Sequence, residues 1–486
     1  MLDWLIPGAV ALIIAAAVLI VVIRTARFKP PAAAPAGGYI PDGDTTAAEK
    51  LAEAVRVRTV SYIDDAKIDR DAFAQFHALL EKQFPLAHAR CEKTVINNYS
   101  LVYHLKSDRP ERSGKPVLIT AHMDVVPVEE GTEGAWTHPP FRGSIADGIV
   151  WGRGTLDIKV HLIGVLEALE RLLCRGFSPV RDIYFAFGHD EELNGRKGAL
   201  QIVDYFKNQG LEFDFVLDEG GCVALNVLPG IDAPIALVGV GEKGYANIKL
   251  TVTRDGGHSS MPAPHTSLGL LAGGLWRIEN HPFKPRLIKP TRDFLMRVGP
   301  YMKGLNRVIL ANLWLFKPVF LSVFGKTQSG SALLRTTIAV TMAQGSPAPN
   351  VVPQISSAVV NCRILPGENG GMVLAHFRKT LKNLPVTVEP ITMDDPSALS
   401  SADSDAFRFV ESLIGEFCPG AVVAPYLVMA ATDAKKYEPV CQNIFRFTPF
   451  IIDIGELGKI HGTNESISVA NVNRCVDFFT ALLERL

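Results

Sequence analysis

The sequence predicts an α/β protein with an inserted second β-sheet unit and a separate apolar N-terminal helix. Three patterns carry this expectation. Short apolar runs ending in acids or histidine alternate with helical periodicity over much of the chain. Between about residues 243 and 394 the pattern becomes strand-helix-strand-strand-helix-strand, the order of a ferredoxin-like module. The stretch WLIPGAVALIIAAAVLIVVI, Trp4 to Ile23, carries no charge at all.

As a helix that stretch spans roughly 30 Å, the thickness of a bilayer core. A cleaved signal peptide usually has a charged start, a shorter apolar region and an A-x-A-like site. Here Asp3 precedes the run, and Arg24, Arg27 and Lys29 follow it. The reading is an uncleaved single-pass anchor at 4–23. The positive-inside rule would place the body on the cytoplasmic side, though three charges do not decide the side. A proline-rich linker, 24–44, follows; PPAAAPAGG within it is semi-rigid.

The first α/β part is read as 45–242. PVLITAHMDVVPV is a strand that breaks near His122, and VHLIGVLEALERLLCRG is an amphipathic helix ended by Gly176. RDIYFAFG and FDFVLDEGG are further strands, each ending in acids. The sheet is expected to be mostly parallel, and ligands gather beyond the carboxyl ends of such strands. The inserted unit spans 243–394 and itself contains an aromatic-rich helical insert at about 283–333. Residues 395–486 return to α/β pattern and complete the first unit.

With 486 residues, 48% hydrophobic and 20% charged, the chain has ample core-forming material. A net charge of −1 gives no support for a nucleic-acid surface. The seven cysteines are scattered without a C-x-x-C pair, so neither a disulfide framework nor a zinc-finger site is read.

Acids and histidines gather at the predicted strand ends: His122, Asp124, Asp157, Glu191, Glu192, Asp218 and His461. Singly, each would be a turn or cap residue. Together they form a mixed imidazole and carboxylate set of the kind that binds zinc, or less selectively manganese or cobalt. His122 and Asp124 point to one side of an extended segment, so Asp124 can orient the imidazole. Adjacent Glu191 and Glu192 cannot both face one way. One can ligate a cation while the other stays free as a general base.

The ordered motifs HMD, WGRGTLD, DEE, DEGG, GGHSSMP and HGTNE resemble the dinuclear zinc metallopeptidase family of aminoacylase, glutamate carboxypeptidase and succinyl-diaminopimelate desuccinylase. GRGTLDIK, GHDEE, LVGVGEKG and GGHSSMP resemble its carboxypeptidase S and N-acyl-amino-acid hydrolase/synthase branch. The resemblance implies a catalytic α/β domain of zinc-peptidase type with an inserted lid, through which a homodimer would form. It implies two zinc ions, with His122 and Asp218 on one, Glu192 and His461 on the other, and Asp157 bridging. Glu191 would be the general base and Asp124 the orienter of His122. His258 would reach a neighbouring subunit's site to support the oxyanion, and Asn350 and Arg363 would hold the substrate's carboxylate. The implied reaction is hydrolysis of an amide beside a free carboxylate, in a peptide or an N-acyl amino acid. A membrane-anchored fatty-acyl-amino-acid synthase/hydrolase is the alternative; a non-catalytic binding protein on the same fold is a weaker one, because the ligand set is complete. In this reading His161 starts a helix rather than ligating a metal, and Asp190 has no assigned role.

Overall fold

Val117–His122 and Ile183–Gly188 are buried at every residue, as strands covered on both faces must be. They pair in parallel, with Val117 opposite Ile183 and His122 opposite Gly188. Burying side chains such as Ile119, Phe185 and Phe187 stabilises the fold by roughly 1.5–3 kcal/mol each. The computed structural model describes residues 2–31, 38–109, 114–228 and 230–486. The centre of the expected linker, residues 32–37, lies outside the described residues.

These strands belong to a ten-stranded sheet. Its order is Glu92–Ile96, Ser100–Leu105, Ile183–Gly188, Val117–His122, Val216–Asp218, Ile444–Arg446, Ile235–Glu242, Val223–Leu225 and Ile451–Asp453, with Val422–Val428 also pairing Ile235–Glu242. The centre is parallel. The first edge is antiparallel, as are the pairings of Ile235–Glu242 with Ile444–Arg446 and with Val223–Leu225; a mostly parallel sheet admits such pairs. The outermost pair has a local cause: Asn97 and Asn98 take φ of 46° and 70°, a left-handed pair that folds Glu92–Ile96 back onto Ser100–Leu105 as a hairpin.

The helix Val160–Cys174 is buried along most of its length and packs against Val469–Glu484. Gly164 permits this approach, since a Cβ there would lie 3.2 Å from Cys475 Cβ. The C-terminal segment therefore packs on the same core as the first half of the chain.

A second, antiparallel sheet runs Thr337–Gln344, Ile355–Ile364, Gly244–Thr253, Thr387–Asp394. Burial alternates along Gly244–Thr253 and Ile355–Ile364, the mark of a sheet covered on one face. Leu271 and Ile278 of Ser267–Asn280, and Val373 and Phe377 of Gly370–Thr380, supply that cover.

Two further groups of helices are labelled for use below. The N-terminal helix α1 is Leu2–Arg27, and from Ile6 to Arg27 it is long and apolar enough to cross a membrane. Between the first helix and second long strand of the small sheet come α2 (Lys289–Val298), α3 (Gly304–Ala311), α4 (Leu313–Phe324) and α5 (Gln328–Leu334). Helix α2 packs on Val422–Val428 of the large sheet, and α1 touches α3.

Candidate active site

Three neighbouring parallel strands end at one edge of the large sheet. His122 closes the first strand, Glu191 and Glu192 follow the second, and Asp218 closes the third. Asp157 arrives from the turn before Val160–Cys174, and His461 from the segment after the last strand of the sheet.

These side chains meet around Asp157. His122 Nε2 lies 3.1 Å from Asp157 Oδ1, and His461 Nε2 lies 2.9 Å from Asp157 Oδ2. His461 Nε2 is also 3.1 Å from Glu192 Oε2, and His122 Nε2 is 4.0 Å from Glu191 Oε2. Each oxygen of one carboxylate thus faces a different histidine. His122, Asp157 and Glu192 offer ligand atoms all within 4.8 Å of one another. Glu192 Oε1 and Asp218 Oδ2 are buried without a hydrogen-bond partner. Two orphaned carboxylate oxygens beside two imidazoles suit a bound divalent cation, since an unpaired buried oxygen is otherwise costly.

Asp124 is fully buried and organises two strand ends at once. His122 Nδ1 lies 2.9 Å from the Asp124 backbone carbonyl and 3.4 Å from its Oδ1. The backbone oxygen therefore makes the closer contact, where the sequence pointed to the carboxylate. The carboxylate is freed to accept from the Ser61 hydroxyl at 2.7 Å and from the amides of Glu191 and Glu192 at 3.2 and 3.3 Å. Asp190 finds a role as a turn fastener: its oxygens accept from the amides of Lys197 and Gly198, both at 2.7 Å.

A second brace was not singled out in sequence, although both of its residues lie inside the quoted motifs. Arg153 Nη1 donates to Glu465 Oε2 at 2.7 Å, and Arg153 Nη2 to the His461 carbonyl at 3.0 Å. Glu465 Oε1 accepts from the amides of Leu156 and Asp157 at 2.8 and 3.2 Å. One buried ion pair so fastens the Asp157 turn to the His461 turn.

Electrostatics follow from crowding. Burial pushes the Glu191 carboxyl well above the carboxylate range; the charge of His122 opposes this, while Asp433, Glu219 and Glu192 reinforce it. Burial opposes a charge on His122, yet hydrogen bonds to Asp124 and Asp157 raise it well above the usual imidazole range. Hydrogen bonds to Asp157 and Glu192 raise His461 to about 10. Burial raises Asp218 to about 7. Such concentrated perturbation in a cleft marks a functional site.

The cleft beside the cluster encloses about 800 Å³. Glu219 lines it together with Asp157, Glu191 and His461, whereas Asp218 lies behind the surface at 1% exposed. The strand end therefore offers two adjacent carboxylates, and the outer one was passed over in sequence. Only the phase of the strand tells them apart. Arg363 and Tyr245 also line the cleft, the guanidinium 4.8 Å from the ring centroid. His258 and Asn350 are exposed and adjacent: Ser259 N donates to the Asn350 carbonyl at 3.1 Å, and His258 pairs with Val351. Neither lines the cleft of its own chain. His161 is buried, with Nδ1 2.9 Å from Thr448 Oγ1 and its ring packed on Phe479.

Residues 118–485 match the profile of Peptidase family M20/M25/M40. The chain belongs to this family. It is accordingly a metal-dependent peptidase or amidohydrolase. It is 39% identical over 446 residues to the probable carboxypeptidase S-like 2 of Dictyostelium discoideum, covering 91% of this chain and 85% of that one. It is 35% identical over 441 residues to the N-fatty-acyl-amino acid synthase/hydrolase PM20D1 of Xenopus tropicalis, covering 90% and 85%. The M20 metallo-carboxypeptidase Sso-CP2 of Sulfolobus solfataricus superposes with a TM-score of 0.65 at 16% identity, over 90% of this chain and 99% of that one. This last likeness supports the M20 fold of the chain.

Proposed function

We propose that the chain hydrolyses the amide of an N-acyl amino acid or a C-terminal peptide bond, using two divalent cations, zinc by preference, with cobalt or manganese as substitutes. The observation that carries this reading is Asp157, whose two oxygens face His122 and His461 separately. His122 with the strand-end carboxylate, Asp218 or its neighbour Glu219, would hold one cation. Glu192 with His461 would hold the other, and Asp157 would bridge. Bound there, such a pair supplies Lewis acidity to the scissile carbonyl and to water.

The protein groups then have separate tasks. Glu191, kept out of the closest histidine contacts and with its carboxyl raised by burial, takes a proton from water and returns it to the leaving nitrogen. Asp124 holds His122 and the Glu191 turn in register. Arg363, seated on Tyr245, binds the free carboxylate of the substrate through its planar fork. His258 and Asn350, outside the cleft of their own chain, fit action on a partner subunit's site, with the small sheet as lid and dimer surface. The domain limits proposed with it are 45–242 with 395–486, and 243–394, although helix α2 of the second range packs on the large sheet. The apolar helix α1 serves as membrane anchor.

A substrate panel of dipeptides and long-chain N-acyl amino acids, run on metal-loaded protein, tests the reaction. Turnover of both classes only when a free carboxylate follows the amide is expected. Equal turnover of carboxyl-blocked substrates would overturn the role of Arg363. The fatty-acyl reading, favoured by the PM20D1 relative, is lost if dipeptides are cleaved far better. Metal content should approach two per chain; one per chain rejects the bridged pair. Glu219→Gln and Asp218→Asn, compared for metal content, decide which carboxylate completes the set.

A further inference from the structure

We infer that helix α4 lies in the surface of a lipid bilayer beside α1, so that the helical insert, together with the anchor, seats the catalytic body on the membrane. The inference rests on the anchor reading of α1 and goes beyond it.

Helix α4, LWLFKPVFLSVF, is apolar all round except for Lys317 and Ser322. A helix of that kind normally sits in a core or in lipid. None of its residues is buried, and Trp314, Leu315, Val319 and Val323 are 52, 43, 54 and 65% exposed. At about 1.5 Å per residue it is about 18 Å long, too short to cross a bilayer of roughly 30 Å. It suits an interfacial position, with Trp314 at the headgroups and Lys317 reaching to water along its stem.

The place of α4 is set by its join to α1. Ala17, Val21, Thr25 and Phe28, on α1 and at its end, are half-buried and spaced on one helical face. Phe28 packs on Gly299, where an added Cβ would come within 2.8 Å of the ring. Arg307 of α3 donates to the carbonyls of Phe28 and Thr25 at 2.8 and 3.2 Å, which caps the end of α1. Arg24 Nε donates to the Ala311 carbonyl at 3.1 Å. Asn312, fully buried, donates to Thr25 Oγ1 at 3.0 Å and to the Val308 carbonyl at 3.0 Å. Helix α4 starts at the next residue, level with the point where the uncharged run of α1 ends at Ile23. A helix starting at the edge of a membrane span, with apolar side chains exposed, is continuous with the lipid surface around that span. Arg27 and Lys29, exposed beside it, suit acidic headgroups.

The test places single cysteines in the full chain after Cys174→Ser, which removes the exposed native thiol. Ile13→Cys reports on α1, and Val323→Cys and Val319→Cys on α4. Val95→Cys, on the first edge strand of the large sheet, lies far across that sheet from the strand that packs on α2. Each is labelled with an environment-sensitive fluorophore in phosphatidylcholine–phosphatidylglycerol vesicles, with and without doxyl-labelled lipid. The expected result is loss of most emission at 13, 319 and 323 and none at 95. Quenching at 13 alone overturns the seating of α4 and leaves the anchor standing. Quenching nowhere shows that the anchor reading has failed, and the inference with it. A blue shift at 319 and 323 without doxyl quenching means that protein, such as a second copy, covers α4, and quenching at 95 as well means non-specific adhesion; either overturns the inference.

Discussion

At the scale of single residues, Glu191 and Glu192 are neighbours with different surroundings. Glu192 touches His461, while Glu191 stays 4.0 Å from His122 and shares its surroundings with Asp433 and Glu219. Glu191→Gln is expected to lower kcat by about a hundred- to ten-thousandfold while metal content, read by atomic emission, stays at the parent level. Glu192→Gln should lose metal as well as turnover. Equal metal loss in both variants would remove the division of labour. Arg363→Met should raise KM for carboxylate substrates by about ten- to a hundredfold, the worth of a charged hydrogen bond, with kcat little changed. Steady-state kinetics with a carboxyl-blocked control checks it, because the control should not respond.

At the scale of elements, one wall of the cleft is a loop, Met429 to Asp433, held by a buried ion pair. Arg446 Nε donates to Glu242 Oε1 at 2.6 Å, and Glu242 accepts from the Thr432 hydroxyl at 2.8 Å and its amide at 3.1 Å. Both charged side chains are essentially inaccessible. Removing one partner leaves the other buried and alone, which costs roughly 3–5 kcal/mol. Glu242→Leu and Arg446→Leu should each destabilise on that scale in urea unfolding and raise KM through the loosened loop. The double variant should lose well under the sum of the two. Strict additivity would show that the pair is not coupled.

At the scale of the whole molecule, Lys243 is the junction. It follows the last residue of Ile235–Glu242 in the large sheet and precedes Gly244–Thr253 in the small one. Its ammonium is buried and donates to the carbonyls of Ala332 and Arg335 at 3.0 and 2.8 Å, tying the helical insert to both sheets. Burial pushes the Lys243 ammonium down to about 8. The unfolded chain, titrating near 10.4, then holds more protons than the folded chain between about pH 8 and pH 10. Stability from this group rises with pH across that window. Relative to Lys243→Met, the wild type should gain on the order of 3 kcal/mol from pH 7 to pH 10.5. A pH-independent difference in denaturant midpoints would contradict the burial of a proton-binding lysine.

Much of this was legible along the chain. Alternating runs and their terminal acids expressed the α/β class, because the period of apolar residues is a local property. Strand order and helix order in the small sheet were equally readable, and so was the helical insert. The antiparallel edge was not, since Ser100–Leu105 pairs with Ile183–Gly188 across a long stretch of sequence. In the site, His122, Asp157, Glu192 and His461 stood out as motif residues, and the fold brings them into contact. Arg153 and Glu465 were written in the same motifs but gave no sign of pairing, since they lie 312 positions apart.

The sequence alone determined the family, the chemical type of the side chains gathered at the candidate site and the presence of an apolar N-terminal helix, because those depend on residue identity and short-range order. Tertiary structure decided the rest. Whether Asp218 or Glu219 faces the cleft turns on strand phase and packing. The placement of Asp157 between two histidines turns on a brace that joins distant turns. The seat of α1 on the insert turns on Arg307 meeting the Phe28 carbonyl and Asn312 meeting the Thr25 hydroxyl, each nearly three hundred residues away. Contacts of that span are created by folding, and local sequence carries no record of them.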